Sequence, residues 1–165
     1  SYFSPSRCEQ HGYIVRSICI LQEPIPKLGQ DVRSCQIIIP QGQCGRKHDI
    51  YITMVGSYLE CSPPNRYVVT MSTTVETDLE HAVDELKPAV AMIGAKNILE
   101  RFDDVSPFYL PILENESDNT YCSQSYDATS HFETILNDVS AMYKRITGED
   151  LSLELKGADE GKTGV

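Results

Sequence analysis

A chain of 165 residues, 41% hydrophobic and 23% charged, is sized for one domain and apolar enough to bury a sizeable core. Its net charge of −10 is lopsided: residues 1–75 carry seven Lys/Arg against five Asp/Glu, and residues 76–165 carry seven against nineteen. An acidic second half argues against nucleic acid, whose phosphates demand clustered cations, and against adhesion to anionic lipid; it reads as a solvated surface.

The chain begins at Ser1, and its first residues are polar as far as Gly12. The apolar run that follows, Tyr13 to Leu21, is broken by Arg16 and Ser17 and does not read as a signal peptide. No run approaches the roughly 20 apolar residues that cross a bilayer, so a soluble protein is expected, with no direct membrane insertion. Cysteines stand at 8, 19, 35, 44, 61 and 122 with no C-x-x-C pair, which disfavours a zinc ribbon or a thioredoxin-like site. Cys19 and Cys35 fall inside apolar runs, where a free thiol behaves as a small hydrophobe, and the reduced state of the cytosol is expected. Cys44 and His48 have a metal-like spacing but lack a second ligand pair.

Tyr13 to Leu21 is rich in β-formers and stops at Gln22-Glu-Pro-Ile-Pro26, whose prolines cannot continue a central ladder. Val32 to Pro40, with Cys35-Gln-Ile-Ile-Ile39 inside it, predicts a second strand, and Gln41 to His48 a turn or loop. Asp49 to Gly56 predicts a third strand, Ser62-Pro-Pro-Asn65 a turn, and Tyr67 to Val75 a fourth strand. The short connections favour antiparallel neighbours, since parallel pairs need long crossovers. Thr77-Asp-Leu-Glu80 has the form of a capping box, and Leu79, Val83 and Leu86 then follow the spacing of one helix face. Pro88 is expected to end or kink that helix, with Ala89 to Ile93 continuing it as far as Gly94. Asn97 to Leu113 is mixed in character, and only Phe108 to Leu113 reads as extended. Glu114 to Thr120 reads as a loop, and its Asn115-Glu-Ser117 sequon is expected to stay unused.

Ser130-His-Phe-Glu133 is a second capping box. Phe132, Ile135, Leu136, Val139, Met142, Tyr143 and Ile146 form a continuous apolar stripe, read as core packing rather than a partner groove. Lys144 and Arg145 complement the dipole of the last turn, and Gly148 is placed to end the helix. After residue 150 the chain is a polar tail, 151–165, expected to be disordered.

Catalytic chemistry finds no foothold. There is no G-x-S-x-G elbow, no G-x-x-x-x-G-K-[ST] phosphate loop and no G-x-G-x-x-G fingerprint. Asp127, Ser130 and His131 are the residue types of a hydrolase triad, but they crowd into five positions where a triad needs spatial neighbours, so cap and first-turn roles explain them better. The pairs Asp84-Glu85 and Asp103-Asp104 are adjacent rather than opposed and read as solvated faces. No catalytic, cofactor-binding or metal-binding residue is assigned: no enzyme, no cofactor, no metal and no nucleic acid are expected.

The strings themselves carry a resemblance. Ser1-Tyr-Phe3, Ile18-Cys-Ile-Leu21 before Pro24, Ser34-Cys-Gln-Ile-Ile-Ile-Pro-Gln41 and Arg46-Lys47 ahead of Asp49-Ile-Tyr51 are similar to the Rab GDP-dissociation inhibitor family. Ser72-Thr-Thr-Val-Glu-Thr77, Ser125 to Thr134, and Tyr143-Lys-Arg145 with Gly148 resemble it too, in the same order through about residue 150. The resemblance implies a binder of prenylated, GDP-bound Rab GTPases that slows nucleotide release and recycles Rabs between membrane and cytosol without chemistry of its own. It corresponds to roughly the last third of such a protein. Residues 1–150 would then be the C-terminal part of its large domain. That implies an α/β (α+β) fold with a mixed, largely antiparallel sheet and two main helices, like flavin monooxygenases but without the flavin. No Rab-contact or lipid-contact residue is carried over, and partner-binding positions stay unknown. The alternatives are a Rab escort protein, which presents Rabs for geranylgeranylation, and the substrate half of a flavin-dependent oxidoreductase.

Overall fold

A computed structural model describes residues 6–26, 28–29, 32–112, 119–123 and 132–153, the side chains of 132–134 excepted. Five strands, β1 (Cys8–Leu21), β2 (Ser34–Ile39), β3 (Ile50–Gly56), β4 (Tyr67–Thr74) and β5 (Ile98–Pro111), form one sheet in the order β2-β3-β4-β1-β5. All four pairings are antiparallel. Helices α1 (Gln41–Cys44), α2 (Lys87–Ile93) and α3 (Phe132–Thr147) complete it, with 3-10 turns at Ser57–Leu59, Ala82–Leu86 and Ala95–Asn97. The mixed α/β class with its largely antiparallel sheet is the one expected from the sequence.

Side chains alternate across a strand, so each register row sends one set of residues to each face. Met54↔Val69 and Val69↔Cys19 share a face, as do Ile52↔Met71 and Met71↔Ser17, and all six residues are buried. The Ala82–Leu86 turn and α2 cover that face, contributing Ala82, Leu86, Ala89 and Ile93 to the same cluster, with Ile25 from the β1–β2 connection. Each such Leu, Ile or Met contributes about 1.5–3 kcal/mol by leaving water, which is what fixes the register. Asn97 ties the ends of β1 and β5 together: its side chain accepts from Glu23 N at 2.8 Å and donates to Glu23 O at 2.9 Å. Cys19 is fully buried and burial pushes its thiol up; the same cause raises half-buried Cys35. Both therefore act as the small hydrophobes expected of them.

Four elements depart from expectation. The Gln41 to His48 stretch, expected as turn or loop, contains one helical turn closed by Gly45 in the left-handed region (φ 64°). No helix starts at Thr77; the first helical turn is the 3-10 segment at Ala82, and Leu79 stands half exposed. Pro88 neither ends nor kinks a helix, because it falls in the first turn of α2, where its missing N–H costs nothing. The mixed stretch from Asn97 is one 14-residue strand, the partner of β1 along almost its whole length. Asp127, Ser130, His131, the sequon at Asn115 and the tail from residue 154 lie outside the described residues.

Candidate functional site

The strongest concentration of polar chemistry lies where two connections meet at one end of the sheet. The β2–β3 connection supplies Arg46 and His48; the chain leaving β4 supplies Glu76 and Thr77; the following 3-10 turn supplies Glu85. Arg46 Nη2 donates to Glu85 Oε2 at 2.6 Å, to the Thr74 carbonyl at 2.9 Å and to Thr73 Oγ1 at 3.2 Å, and lies 3.3 Å from Glu76 Oε1. The two carboxylates spend their oxygens on backbone. Glu85 Oε1 accepts from Glu76 N at 2.9 Å, Thr77 N at 2.8 Å and Thr77 Oγ1 at 2.7 Å. Glu76 Oε1 accepts from Lys47 N and His48 N, both at 2.9 Å, with His48 Nδ1 at 3.1 Å.

Local sequence explains the placement. Asp49 accepts from Gln41 N at 2.8 Å and closes the connection on itself, while the left-handed Gly45 turns the chain so that Arg46 enters inward. In the 3-10 turn, with three residues per turn, neighbours point about 120° apart. Glu85 faces the arginine and Asp84 faces out, 2.9 Å from Lys87 Nζ. The reading of Asp84-Glu85 as a solvated pair therefore holds for Asp84 alone: the Glu85 side chain is 4% exposed. Thr77 caps no helix because its hydroxyl and amide both go to Glu85.

The electrostatics are those of a fastening. Burial raises the Glu85 carboxyl, but the Thr77 hydroxyl and amide, the Glu76 amide and Arg46 outweigh it and hold the group below its ordinary range. Glu76 shows the same contest: burial raises it, while the His48 ring, the Lys47 amide and Arg46 win and lower it. Carboxylates stabilised as anions and surrounded by donors are not poised to exchange protons near neutrality. The Cys44–His48 spacing assembles no metal ligand set, since the His48 ring nitrogen meets Glu76, and among the described residues no group of three or more His, Cys, Asp or Glu could hold a metal. The arrangement positions backbone. The sequence signalled Arg46 only as part of a motif and gave no signal for Glu85, because the partners are 39 positions apart.

A second feature is the apolar face of α3. Ile135, Leu136, Val139, Tyr143 and Ile146 are 37–55% exposed, so among the described residues the stripe expected to pack as core is left without full cover. The helix itself ends as expected, at Gly148 with φ 79°, whose N–H donates to the Lys144 carbonyl at 2.8 Å. A third feature, a hollow of about 360 Å³ lined by Glu23, Pro24, Ile25, Pro26, Leu28 and Tyr67, brings no convergent set of polar groups to a ligand.

Comparison with known proteins gives this geometry a context. A family model described as GDP dissociation inhibitor matches residues 1–158. The chain is 43% identical over 155 residues to a Rab GDP-dissociation inhibitor of Pyricularia oryzae, covering 93% of this chain and 32% of that protein. It is 40% identical over 161 residues to the Rab GDP-dissociation inhibitor of Saccharomyces cerevisiae, covering 97% of this chain and 34% of that one. Among solved structures, the crystal structure of Rab GDI from Plasmodium falciparum superposes with a TM-score of 0.85 at 36% identity, over 92% of this chain and 34% of that one. The chain thus spans about a third of the length of these relatives.

Proposed function

This chain belongs to the GDP dissociation inhibitor family, and we propose that it forms the C-terminal part of the large domain of a Rab GDP-dissociation inhibitor. The whole protein binds prenylated Rab GTPases in their GDP form, slows GDP release and recycles Rabs between membrane and cytosol, without performing chemistry on them. The observation that carries this reading is the match along residues 1–158, at about 40% identity to proteins bearing that name. The chain's own contribution is a scaffold. The sheet and the Arg46 fastening set backbone positions, and the apolar face of α3 docks onto the rest of the large domain. The grip on Rab and on its lipid lies in the remaining two-thirds. The protein works in the cytosol and visits membranes through its cargo. Among the described residues, no helix is long and apolar enough to cross a bilayer.

The test uses the full-length protein with membranes carrying prenylated, GDP-loaded Rab. Extraction of the Rab into the soluble fraction, with slowed release of a fluorescent GDP analogue, is the expected result. Failure to extract, together with support of geranylgeranylation by a prenyltransferase, would move the assignment to an escort protein. A yellow, flavin-loaded preparation with oxidase activity would overturn the binding role altogether.

A further inference from the structure

The Arg46 fastening joins two connections that share no strand pairing with each other and lie about thirty positions apart. Its members hold one another's backbone crosswise. Arg46, on the first connection, reaches the Thr74 carbonyl and Glu85. Glu76, on the second, holds the amides of Lys47 and His48 on the first. Glu85 in turn holds the amides of Glu76 and Thr77. Among the described residues, the titratable group that faces these carboxylates besides the Arg46 guanidinium is the His48 ring, on Glu76. The neighbouring Asp84 is taken by Lys87, and Arg101 of β5 by Ser17 and Asp103.

We propose that this clasp makes residues 45–49 and 75–78 a single opening unit, fixed together or released together. The Arg46–Glu85 pair is the buried part of the clasp, with side chains 11% and 4% exposed. The more exposed amides that Glu76 and Glu85 hold lie on either side of it, so a connection that loses its grip on this pair loosens the other as well. The device goes beyond Rab binding and does not depend on it. It gives one end of the sheet two states, closed with Arg46 shared between carboxylates, or open with four backbone amides released.

Single-residue amide hydrogen exchange on the whole chain tests this. Lys47, His48, Glu76 and Thr77 should exchange with one common protection, within about threefold of each other after intrinsic-rate correction. In Glu85→Gln the amides of Lys47 and His48, which Glu85 does not touch, should lose protection by about tenfold or more, together with Glu76 and Thr77. Protection at Ile52 and Met71 should stay unchanged, showing that the sheet is intact. Loss confined to Glu76 and Thr77 would overturn the proposal. If Glu85→Gln disturbs the sheet, Glu76→Ala gives the reciprocal reading: the Thr77 amide, which the Glu76 side chain does not hold, should open with Lys47 and His48. An unchanged Thr77 would overturn it equally.

Discussion

Glu85 and Asp84 are neighbours of one chemical type with opposite fates, and the difference is measurable. Glu85→Ala should cost about 3 kcal/mol, because Arg46 keeps only its weaker contacts and two amides lose their acceptor inside the protein. Asp84→Ala, which breaks an exposed pair with Lys87, should leave the unfolding midpoint essentially where it is. Urea unfolding of the two variants makes the comparison, and equal losses would remove the clasp from the account of stability. The same residues set an acid limit. Glu76 and Glu85 are held below their ordinary value of 4.5 in the folded chain. A carboxylate depressed by folding contributes stability that is fully present above its unfolded value and is lost as pH falls through the folded one. Unfolding free energy should therefore decline below about pH 4.5, and Glu85→Gln should flatten that decline. A variant as acid-sensitive as the parent would count against the assignment.

At the scale of the element, two glycines should answer an added methyl with opposite signs. Gly94 ends α2 at φ 81°, and a Cβ there would come within 3.3 Å of Pro26 Cγ, so Gly94→Ala should destabilise by about 1–3 kcal/mol. Gly42 lies inside α1 with open space around it, and Gly42→Ala should stabilise by about 0.5 kcal/mol. Thermal melts of both variants decide the matter. What was legible here follows from how local each signal is. β1, β3 and β4 could be read because their inward residues are apolar and bounded by Pro, Gly or Asn. β5 could be read only at its Phe108 end, because an edge strand tolerates what a central one forbids: Asp103, Asp104 and Ser106 in sequence, and Pro107 opposite Tyr13. Its partner is some ninety residues away, and no local period reports that. The Thr77 capping box misled for a related reason. A capping box assumes that the threonine has no better acceptor, and Glu85 is one.

For the whole molecule, the apolar stripe of α3 shows what periodicity can and cannot say. A regular stripe says that one face of a helix is to be covered, but not by what. In this chain Ile135, Leu136, Val139, Tyr143 and Ile146 remain 37–55% exposed, and the relatives are about three times as long. If the rest of the large domain covers that face, the same substitution should have two different costs. Leu136→Ser and Ile146→Ser in the 165-residue chain replace half-exposed side chains, so each should change stability by less than about 0.5 kcal/mol. The same changes in the full-length protein should each cost about 1.5–3 kcal/mol, the value of burying such a side chain. They should also weaken the Rab extraction proposed for the full-length protein only as far as folding is lost. The chain alone, with this face and the β5 edge open, should self-associate on warming, and the serine variants should suppress that association. Light scattering during a thermal ramp reads the first effect, and denaturant unfolding of both lengths reads the second. Equal costs in the two contexts would mean that nothing further covers α3. A cooperative melt from a chain that stays monomeric would mean that the scaffold is complete without it.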